Sequence, residues 1–344
     1  MRIETDWQPP ENWLKITTIE AHTAGEPLRV ITSGYPELPG GTILEKRRYA
    51  RKNLDHLRKA LMWEPRGHAD MYGCLVTEPV TPGGDLGVLF MHNEGYSTMC
   101  GHGIIGLAMV ALETGMIQAG GEQAVIKMDT PAGRVTAFAD LEGGIVKDVS
   151  FLNVPSFVYA LDQIVEVPGV GKINFDLAFG GAYYAYCRAE QVGVSLTADN
   201  FRDLVEKGTR IKRAVMENFP IEHPFEPDLG FLYGTIFVGE AHQPGNHSRN
   251  VCVFADGEVD RCPTGTGLSG RAAIHMARSE IKIGEPFIVE SILGTTFTAE
   301  IVDTAQFGPY QAVIPKVTGR ANICGRYELL IDPEDPLADG FFLR

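Results

Sequence analysis

The stretch MCGHG at residues 99–103 and the stretch PTGTG at residues 263–267 decide the fold of this chain. When the two are aligned on their glycines, Cys100 falls opposite Thr264. Each stretch leads into a run of small and apolar residues of helical length, GIIGLAMVALETGMI after the first and GLSGRAAIHMARSEI after the second. The glycines at each helix start allow a ligand to approach the backbone closely. The sequence therefore predicts two similar helix N-termini, one with a thiol at its tip and the other with a hydroxyl.

The likeness extends upstream and downstream of the two tips. The tripeptides MYG at 71–73 and LYG at 232–234 each precede a stretch of alternating polar and apolar residues, which predicts β-strands. Downstream, residues 129–155 resemble residues 290–317 in the same alternating pattern with turn residues between. Four similar features in the same order indicate an internal duplication.

Each half also contains a charged amphipathic segment, at 51–64 and at 197–219, which predicts an outer helix ended by a proline-containing turn. The apolar helix after each tip carries small residues around its circumference, which suits a helix wrapped by β-sheet. We expect an α/β (α+β) fold of two pseudo-symmetric domains, each a β-barrel-like mixed sheet around a central helix. The predicted domains are 1–157 plus 318–344, and 158–317, with the active site in the cleft between them.

Composition excludes several classes of function. The formal charge of −14, from 30 basic and 44 acidic residues, argues against non-specific nucleic-acid binding. The most apolar stretch, 103–112, is far shorter than the roughly 20 residues of a membrane span, so we expect no membrane partner. The N-terminus MRIETDWQPPENW has no apolar core, so we expect no secretory signal and a cytoplasmic location.

The cysteines and glycines indicate no cofactor. The six cysteines are scattered without a CxxC pair, so we expect reduced thiols, and neither disulfides nor a metal site. The chain has no GxxxxGK[ST] motif, and the GxGxxG pattern at 101–106 lacks the acidic residue of a dinucleotide-binding unit. We therefore predict an activity that needs neither metal nor nucleotide.

A pair of facing helix tips suggests a reaction. A helix N-terminus binds anions through its unpaired N–H groups, and a cysteine there has a lowered pKa. If both tips bound one substrate carboxylate, Cys100 and Thr264 would lie on opposite faces of the neighbouring carbon. That arrangement suits proton abstraction alpha to a carboxylate, with His102 contacting the substrate and Asp260 holding a protonated nitrogen. A buried structural cysteine and simple capping or turn roles for His102 and Asp260 remain open.

Cys262 is a second thiol near the same tip, but the alignment places it opposite Thr98 rather than Cys100. Pro263 separates it from the helix start. We expect a packing residue beside the site. The polar groups at His22, Glu26 and 65–68 are consistent with structural hydrogen bonding in loops.

The sequence resembles the proline racemase superfamily, which has the diaminopimelate-epimerase fold. The segments that carry the resemblance span nearly the whole chain: HTAGEP at 22–27, PRGH at 65–68, MCGHG at 99–103, DLAFGG at 176–181 and DRCPTGTG at 260–267. Racemases and 4-hydroxyproline epimerases of that family carry cysteine at both tips. Thr264 at the second tip is similar to the trans-3-hydroxy-L-proline dehydratase branch.

The resemblance implies that Gly101, His102, Gly265 and Thr266 hold the substrate carboxylate and that Asp260 contacts the ring nitrogen. It also makes a homodimer plausible. A racemase needs two groups that titrate near the working pH, whereas elimination of water needs one base, the Cys100 thiolate. We predict a hydro-lyase that converts trans-3-hydroxy-L-proline to Δ1-pyrroline-2-carboxylate without a cofactor. The alternatives are a proline racemase or 4-hydroxyproline 2-epimerase, and a non-catalytic imino-acid binding protein.

Overall fold

A computed structural model describes residues 7–343 as seventeen β-strands and five α-helices, besides short 3-10 segments. In chain order these are β1 (Leu14–Thr23), β2 (Glu26–Ser33), α1 (Ile43–Asn53), α2 (Asp55–Met62), β3 (Gly73–Thr77), β4 (Leu86–Met91), α3 (Gly101–Glu113), β5 (Gln123–Thr130), β6 (Gly133–Glu142), β7 (Ile145–Leu152), β8 (Ser156–Val167), β9 (Gly171–Phe179), β10 (Tyr183–Arg188), α4 (Phe201–Asn218), β11 (Leu232–Gly239), β12 (Ser248–Phe254), β13 (Glu258–Val259), α5 (Gly265–Ala277), β14 (Phe287–Glu290), β15 (Thr296–Phe307), β16 (Tyr310–Gly319) and β17 (Ala321–Ile331).

The first barrel runs from β1 through β7 by neighbouring pairs. The pairs β2/β3 and β4/β5 are parallel, and the other neighbours are antiparallel. The end of β16 pairs with β7, and β17, which follows directly, pairs with β1 and closes the barrel. Parallel neighbours need a long crossover, and helices supply it here: α1 and α2 link β2 to β3, and α3 links β4 to β5.

The second barrel repeats this order. It runs β8, β9, β10, β11, β12, β14, β15 and β16, and β16 pairs with β8 to close it. The parallel pairs are β10/β11, bridged by α4, and β12/β14, bridged by α5. The predicted α/β fold of two similar barrels is therefore confirmed. The chain crosses between barrels near 152–156 and at 319–321, close to the predicted boundaries, and the division into two domains stays a prediction.

The central helices are buried along most of their length. Eleven consecutive residues of α3, Gly101 to Ala111, are buried, and so are the first eleven of α5, Gly265 to His275. A helix that buries its whole circumference must be surrounded by other elements, and each of these packs against the strands of its barrel. Both predicted apolar helices thus exist at their predicted starts.

The outer helices differ from the prediction in their bounds. The segment predicted at 51–64 is two helices, and the first begins at Ile43, where Thr42 and Glu45 form a capping box. That S/T-x-x-E signal lies upstream of the segment on which the prediction rested. The segment predicted at 197–219 forms α4 over Phe201–Asn218. Among the described residues, no helix combines the length and apolar character required to cross a membrane.

Candidate active site

The N-termini of α3 and α5 meet at their first glycines. A Cβ atom added to Gly101 would lie 2.7 Å from Cα of Gly265, and one added to Gly265 would lie 2.9 Å from Cα of Gly101. Only glycine permits so close an approach of two backbones. Each helix start presents unpaired N–H groups and a partial positive charge. The two predicted tips therefore face each other, and binding of an anion by their N–H groups stays a prediction.

Cys100 occupies the N-cap of α3. Its Sγ accepts a hydrogen bond from the Gly103 N–H at 3.3 Å and lies 3.2 Å from Nδ1 of His102. Burial raises the pKa of the Cys100 thiol well above its usual range, against the opposing effects of Tyr72 and of the Gly103 N–H. The expectation of a lowered pKa therefore does not hold in this closed site, because loss of water outweighs the helix terminus.

His102 is held firmly beside this thiol. Oγ1 of Thr23 donates to its backbone carbonyl at 2.8 Å, and its ring meets the Tyr72 ring edge-on at 4.7 Å. Burial lowers the pKa of His102 to about 4, although Asp260 acts in the opposite direction. The imidazole is therefore neutral at neutral pH. It can accept the thiol proton of Cys100 through Nδ1.

Thr264 differs from Cys100 in backbone and in side-chain partners. Cys100 has an extended backbone (φ −144°), whereas Thr264 has φ +67° and its hydroxyl does not cap the helix. A β-branched residue in the left-handed region stores about 1–3 kcal/mol of strain, and such residues cluster at functional sites. Oγ1 of Thr264 is buried and has no hydrogen-bond partner among the described residues. The nearby Cys252 thiol interacts with this side chain, whose hydroxyl remains available to a ligand or a water molecule.

The segment before Thr264 is fixed by a short series of contacts. Cys262 is fully buried, its Sγ accepts from the Thr264 N–H at 3.3 Å, and its own N–H donates to Oδ1 of Asp260 at 2.8 Å. The Arg261 N–H donates to the carboxylate of Glu26 at 2.6 Å. Burial raises the pKa of Glu26 well above its usual range, and Asp260 adds to this effect. Glu26, considered structural from sequence, thus ties β2 to the Asp260 segment.

The cavity between the tips has a volume of about 20 Å³, room for about one water molecule. All seven predicted site residues line it: Cys100, Gly101, His102, Asp260, Thr264, Gly265 and Thr266. Cys262 is absent from the lining. Six further lining residues were not predicted as site residues: Tyr72, Met99, Tyr184, Tyr233, Cys252 and Phe254. The tyrosines of the repeated MYG and LYG tripeptides were a usable signal, because both lie at equivalent strand starts.

One group near the cavity has the donor set of a metal site. Ligand atoms of His102, Asp260 and Cys262 lie within 4.8 Å of one another, and all three residues are buried. Nitrogen, carboxylate oxygen and thiolate are ligands that Zn²⁺ accepts. The Asp260 carboxylate already receives the Cys262 N–H, and the Cys262 Sγ already receives the Thr264 N–H. These bonds give the two side chains a role in shaping the tip of α5.

Comparison with known proteins identifies the family of the chain. Residues 18–342 match the family model described as proline racemase. The chain belongs to the proline racemase family. A trans-3-hydroxy-L-proline dehydratase from Colwellia psychrerythraea is 48% identical over 98% of this chain and 96% of its own length. A 3-hydroxyproline 2-epimerase from Burkholderia multivorans is 42% identical over 96% of this chain and 98% of its own length.

A solved structure is similar over the same extent. A hydroxyproline epimerase from Agrobacterium vitis, crystallised with trans-4-hydroxy-L-proline, matches with a TM-score of 0.92 at 30% identity. The match covers 97% of this chain and 96% of that one. Membership of the family thus rests on sequence and on fold alike.

Proposed function

We propose that this protein dehydrates trans-3-hydroxy-L-proline to Δ1-pyrroline-2-carboxylate and water. The observation that carries the proposal is the pair of facing tips, with one thiol at Cys100 and an unpartnered hydroxyl at Thr264. Relatives over nearly the full chain that are named for this dehydration, such as the one from Colwellia psychrerythraea, support it. We propose a cytoplasmic enzyme that needs no cofactor and acts on this small imino acid, as a possible homodimer.

The substrate carboxylate binds at the facing tips. Backbone N–H groups of Gly101, His102, Gly265 and Thr266 supply the donors, and Oγ1 of Thr266 is itself held at 2.7 Å by the Tyr184 hydroxyl. Asp260 balances the protonated ring nitrogen. The helix N–H groups stabilise the negative charge that develops at the α-carbon and spreads into the carboxylate as the proton leaves, and Asp260 keeps the ring nitrogen protonated and in place.

The stereochemistry of the substrate explains why one thiol is enough. In the trans isomer the hydroxyl and the carboxylate lie on opposite faces of the ring, so the α-hydrogen and the hydroxyl share one face. The Cys100 thiolate takes the α-proton, and the resulting thiol returns it to the C3 oxygen on the same face. The C3–O bond breaks, water leaves and the Cα–C3 double bond forms. The cyclic enamine then takes a proton at C3 and loses one from nitrogen.

Thr264 faces the other side of the α-carbon in this mechanism. A threonine hydroxyl does not ionise near neutral pH, so it cannot serve as the second base that racemisation requires. Its hydroxyl contacts the substrate and gains the hydrogen bond that the closed site does not provide. The alternative of a 2-epimerase draws support from the Burkholderia multivorans relative. It requires a proton donor on the Thr264 side.

The test is a panel of imino acids followed by NMR in heavy water. We expect the protein to dehydrate trans-3-hydroxy-L-proline. We expect no inversion at the α-carbon of trans-4-hydroxy-L-proline or of L-proline. The isomer cis-3-hydroxy-L-proline should exchange its α-hydrogen without losing water, because its hydroxyl lies on the Thr264 side. Efficient inversion by the unmodified protein would contradict the dehydratase proposal and support the 2-epimerase alternative. Binding without exchange or turnover would indicate a binding protein.

Substitutions assign the base in the same assay. Cys100→Ser should lower turnover at least about 10²-fold, because a serine hydroxyl is a far weaker base. The exposed Cys324→Ser is the matched control and should leave turnover unchanged. Cys262→Ser should retain most activity, since serine can accept the same bond from Thr264. A loss equal to that of Cys100→Ser would place Cys262 in the chemistry.

A further inference from the structure

A second cavity, of about 590 Å³, lies at the far end of α5 from the reaction site. It is lined by Arg271 and His275 of α5, by Arg188 at the end of β10 and by His247 just before β12. Arg271 lies seven residues past Thr264, or about 10 Å along the helix axis. The cavity is large enough for a small metabolite, and none of the residues assigned to the reaction lines it.

Arg271 is a buried cation that makes no direct ion pair with an acidic side chain within residues 7–343, although Glu280, which pairs with His275, acts on it through its charge. It is 5% exposed, and its guanidinium donates to Oγ of Ser248 at 2.8 Å, to Oδ1 of Asn250 at 2.8 Å and to Nε2 of His275 at 3.1 Å. All three acceptors are neutral, since burial lowers the pKa of His275 to about 4. A guanidinium has five N–H donors, so two remain for a ligand. A buried charge normally has a counter-charge.

Arg188 adds a second unpaired positive charge to the same cavity. Its side chain is exposed and makes no hydrogen bond or ion pair within residues 7–343. Burial lowers the pKa of Arg271 to about 10; Tyr186 and Glu280 oppose this shift, and the charge of Arg188 contributes to it. Burial also lowers the pKa of His247, and Arg271 and Arg188 add to the effect. These mutual repulsions are relieved by an anion between the two guanidinium groups.

Three of the four acidic side chains that line the cavity are engaged by other groups. Arg278 pairs with Asp162 at 2.6 Å and with Asp176 at 2.9 Å. Nδ1 of His275 lies 2.5 Å from a carboxylate oxygen of Glu280. Glu240 is exposed. Among the cationic groups of the cavity, Arg271 with its partly filled hydrogen-bonding capacity and Arg188 with its unpaired charge are therefore the ones left for a ligand.

Arg271 is also connected to the reaction site. The Asn250 side chain, which accepts from Arg271, donates through Nδ2 to the Pro263 carbonyl at 3.3 Å. Pro263 immediately precedes Thr264, whose strained backbone depends on the position of this segment. A ligand that shifts Arg271 therefore acts on the tip of α5 through one side chain.

We propose that this cavity binds a small oxyanion, a carboxylate or a phosphate group, between Arg271 and Arg188, and that occupancy alters the Thr264 tip through Asn250. The planar donors of arginine match either group, and inorganic phosphate and organic acids are the two sources of such a group. The site is independent of the proposed dehydration.

Calorimetric titration of the full chain with inorganic phosphate, and separately with acetate, tests the binding. Pyrrole-2-carboxylate, a planar analogue of the proposed substrate that carries its carboxylate, is added in excess to occupy the facing helix tips. We expect the anion that binds the wild type to bind Arg188→Gln and Arg271→Lys at least tenfold more weakly. Arg213→Gln, which removes an exposed arginine on α4, should match the wild type. Equal affinity in all four proteins, or binding of neither anion, would overturn the site.

The connection to Thr264 needs a separate readout. We expect the bound anion to change the rate at which iodoacetamide alkylates Cys100 at least twofold, and Asn250→Ala to remove that change at an anion concentration that saturates the variant. Alkylation does not depend on the identity of the substrate, so a wrong substrate assignment leaves this test intact. Unchanged alkylation at saturating anion would overturn the connection.

Discussion

At the residue scale, the site depends on a difference between two positions that the sequence makes look alike. The alignment of the two tips identified Cys100 and Thr264 because the flanking glycines are the same. It did not predict that Thr264 has φ +67° while Cys100 is extended. The Thr264 N–H is held by Cys262 and the Pro263 carbonyl by Asn250, contacts from residues outside the aligned motif. Tertiary contacts set this backbone, so local sequence could not predict it.

Thr264→Cys tests whether the missing thiol is what prevents inversion. A cysteine at this tip places a second titratable group on the other face of the α-carbon, so we expect detectable epimerisation of trans-4-hydroxy-L-proline. We expect this epimerisation to be slow, because a misplacement of a reacting group by ~1 Å can lower the rate about 10²-fold. Chiral chromatography and deuterium incorporation measure it. Thr264→Ser, which keeps a hydroxyl, is the control. Inversion in that variant, or none with cysteine, would refute the assignment.

At the scale of elements, the sequence predicted the central helices better than the outer ones. The starts of α3 and α5 were predicted because a glycine-rich tip followed by an apolar run is a local signal. The segment at 51–64 was misplaced because the charged pattern continues across Leu54, where the backbone leaves the helical region and separates α1 from α2. Strand pairing was predicted only as a repeat, since partners such as β1 and β17 are far apart in the chain.

Gly101→Ala tests the contact between the two helix starts. An added methyl would meet the backbone of Gly265, which cannot move aside as a flexible side chain does. We expect α3 and α5 to separate, with loss of carboxylate affinity and a fall in turnover of at least about 10²-fold. Gly120→Ala is the matched control, since its added methyl meets no atom within 4 Å. Circular dichroism verifies the fold, and wild-type affinity for pyrrole-2-carboxylate would contradict the prediction.

At the scale of the whole molecule, the site is closed. A cavity of about 20 Å³ cannot admit a ring bearing a carboxylate and a hydroxyl, so the site must open for substrate to enter. Aromatic residues from both barrels, such as Tyr72 and Phe254, cover the tips. The sequence could not show that these rings cover the tips, because Tyr72 and Phe254 come from different barrels and are far apart in the chain. It also could not show that burial, rather than the helix terminus, dominates the pKa of Cys100.

Alkylation of Cys100 measures this opening. One link between the outer elements of the two barrels is Arg48 of α1, whose guanidinium pairs with Asp228 at 2.7 Å and Glu226 at 3.1 Å. Arg48→Gln should raise the rate of iodoacetamide labelling a few-fold, because the closed form loses that pair. Added salt should raise the wild-type rate toward that of the variant, since exposed ion pairs are screened.

The pH dependence of labelling distinguishes opening from simple exposure. If Cys100 reacted from the closed site, its raised pKa would keep the labelling rate rising well above pH ~8.5, the ordinary value for a free thiol. Reaction through an open form hydrates the thiol and returns the midpoint toward that value. We therefore expect Arg48→Gln to shift the profile to lower pH, and Arg213→Gln, an exposed arginine on α4, to leave it unchanged. All the proteins compared also carry Cys324→Ser, which removes the exposed thiol. Peptide mass spectrometry locates the label. Identical profiles for the wild type and Arg48→Gln would show that this ion pair does not control access to the site.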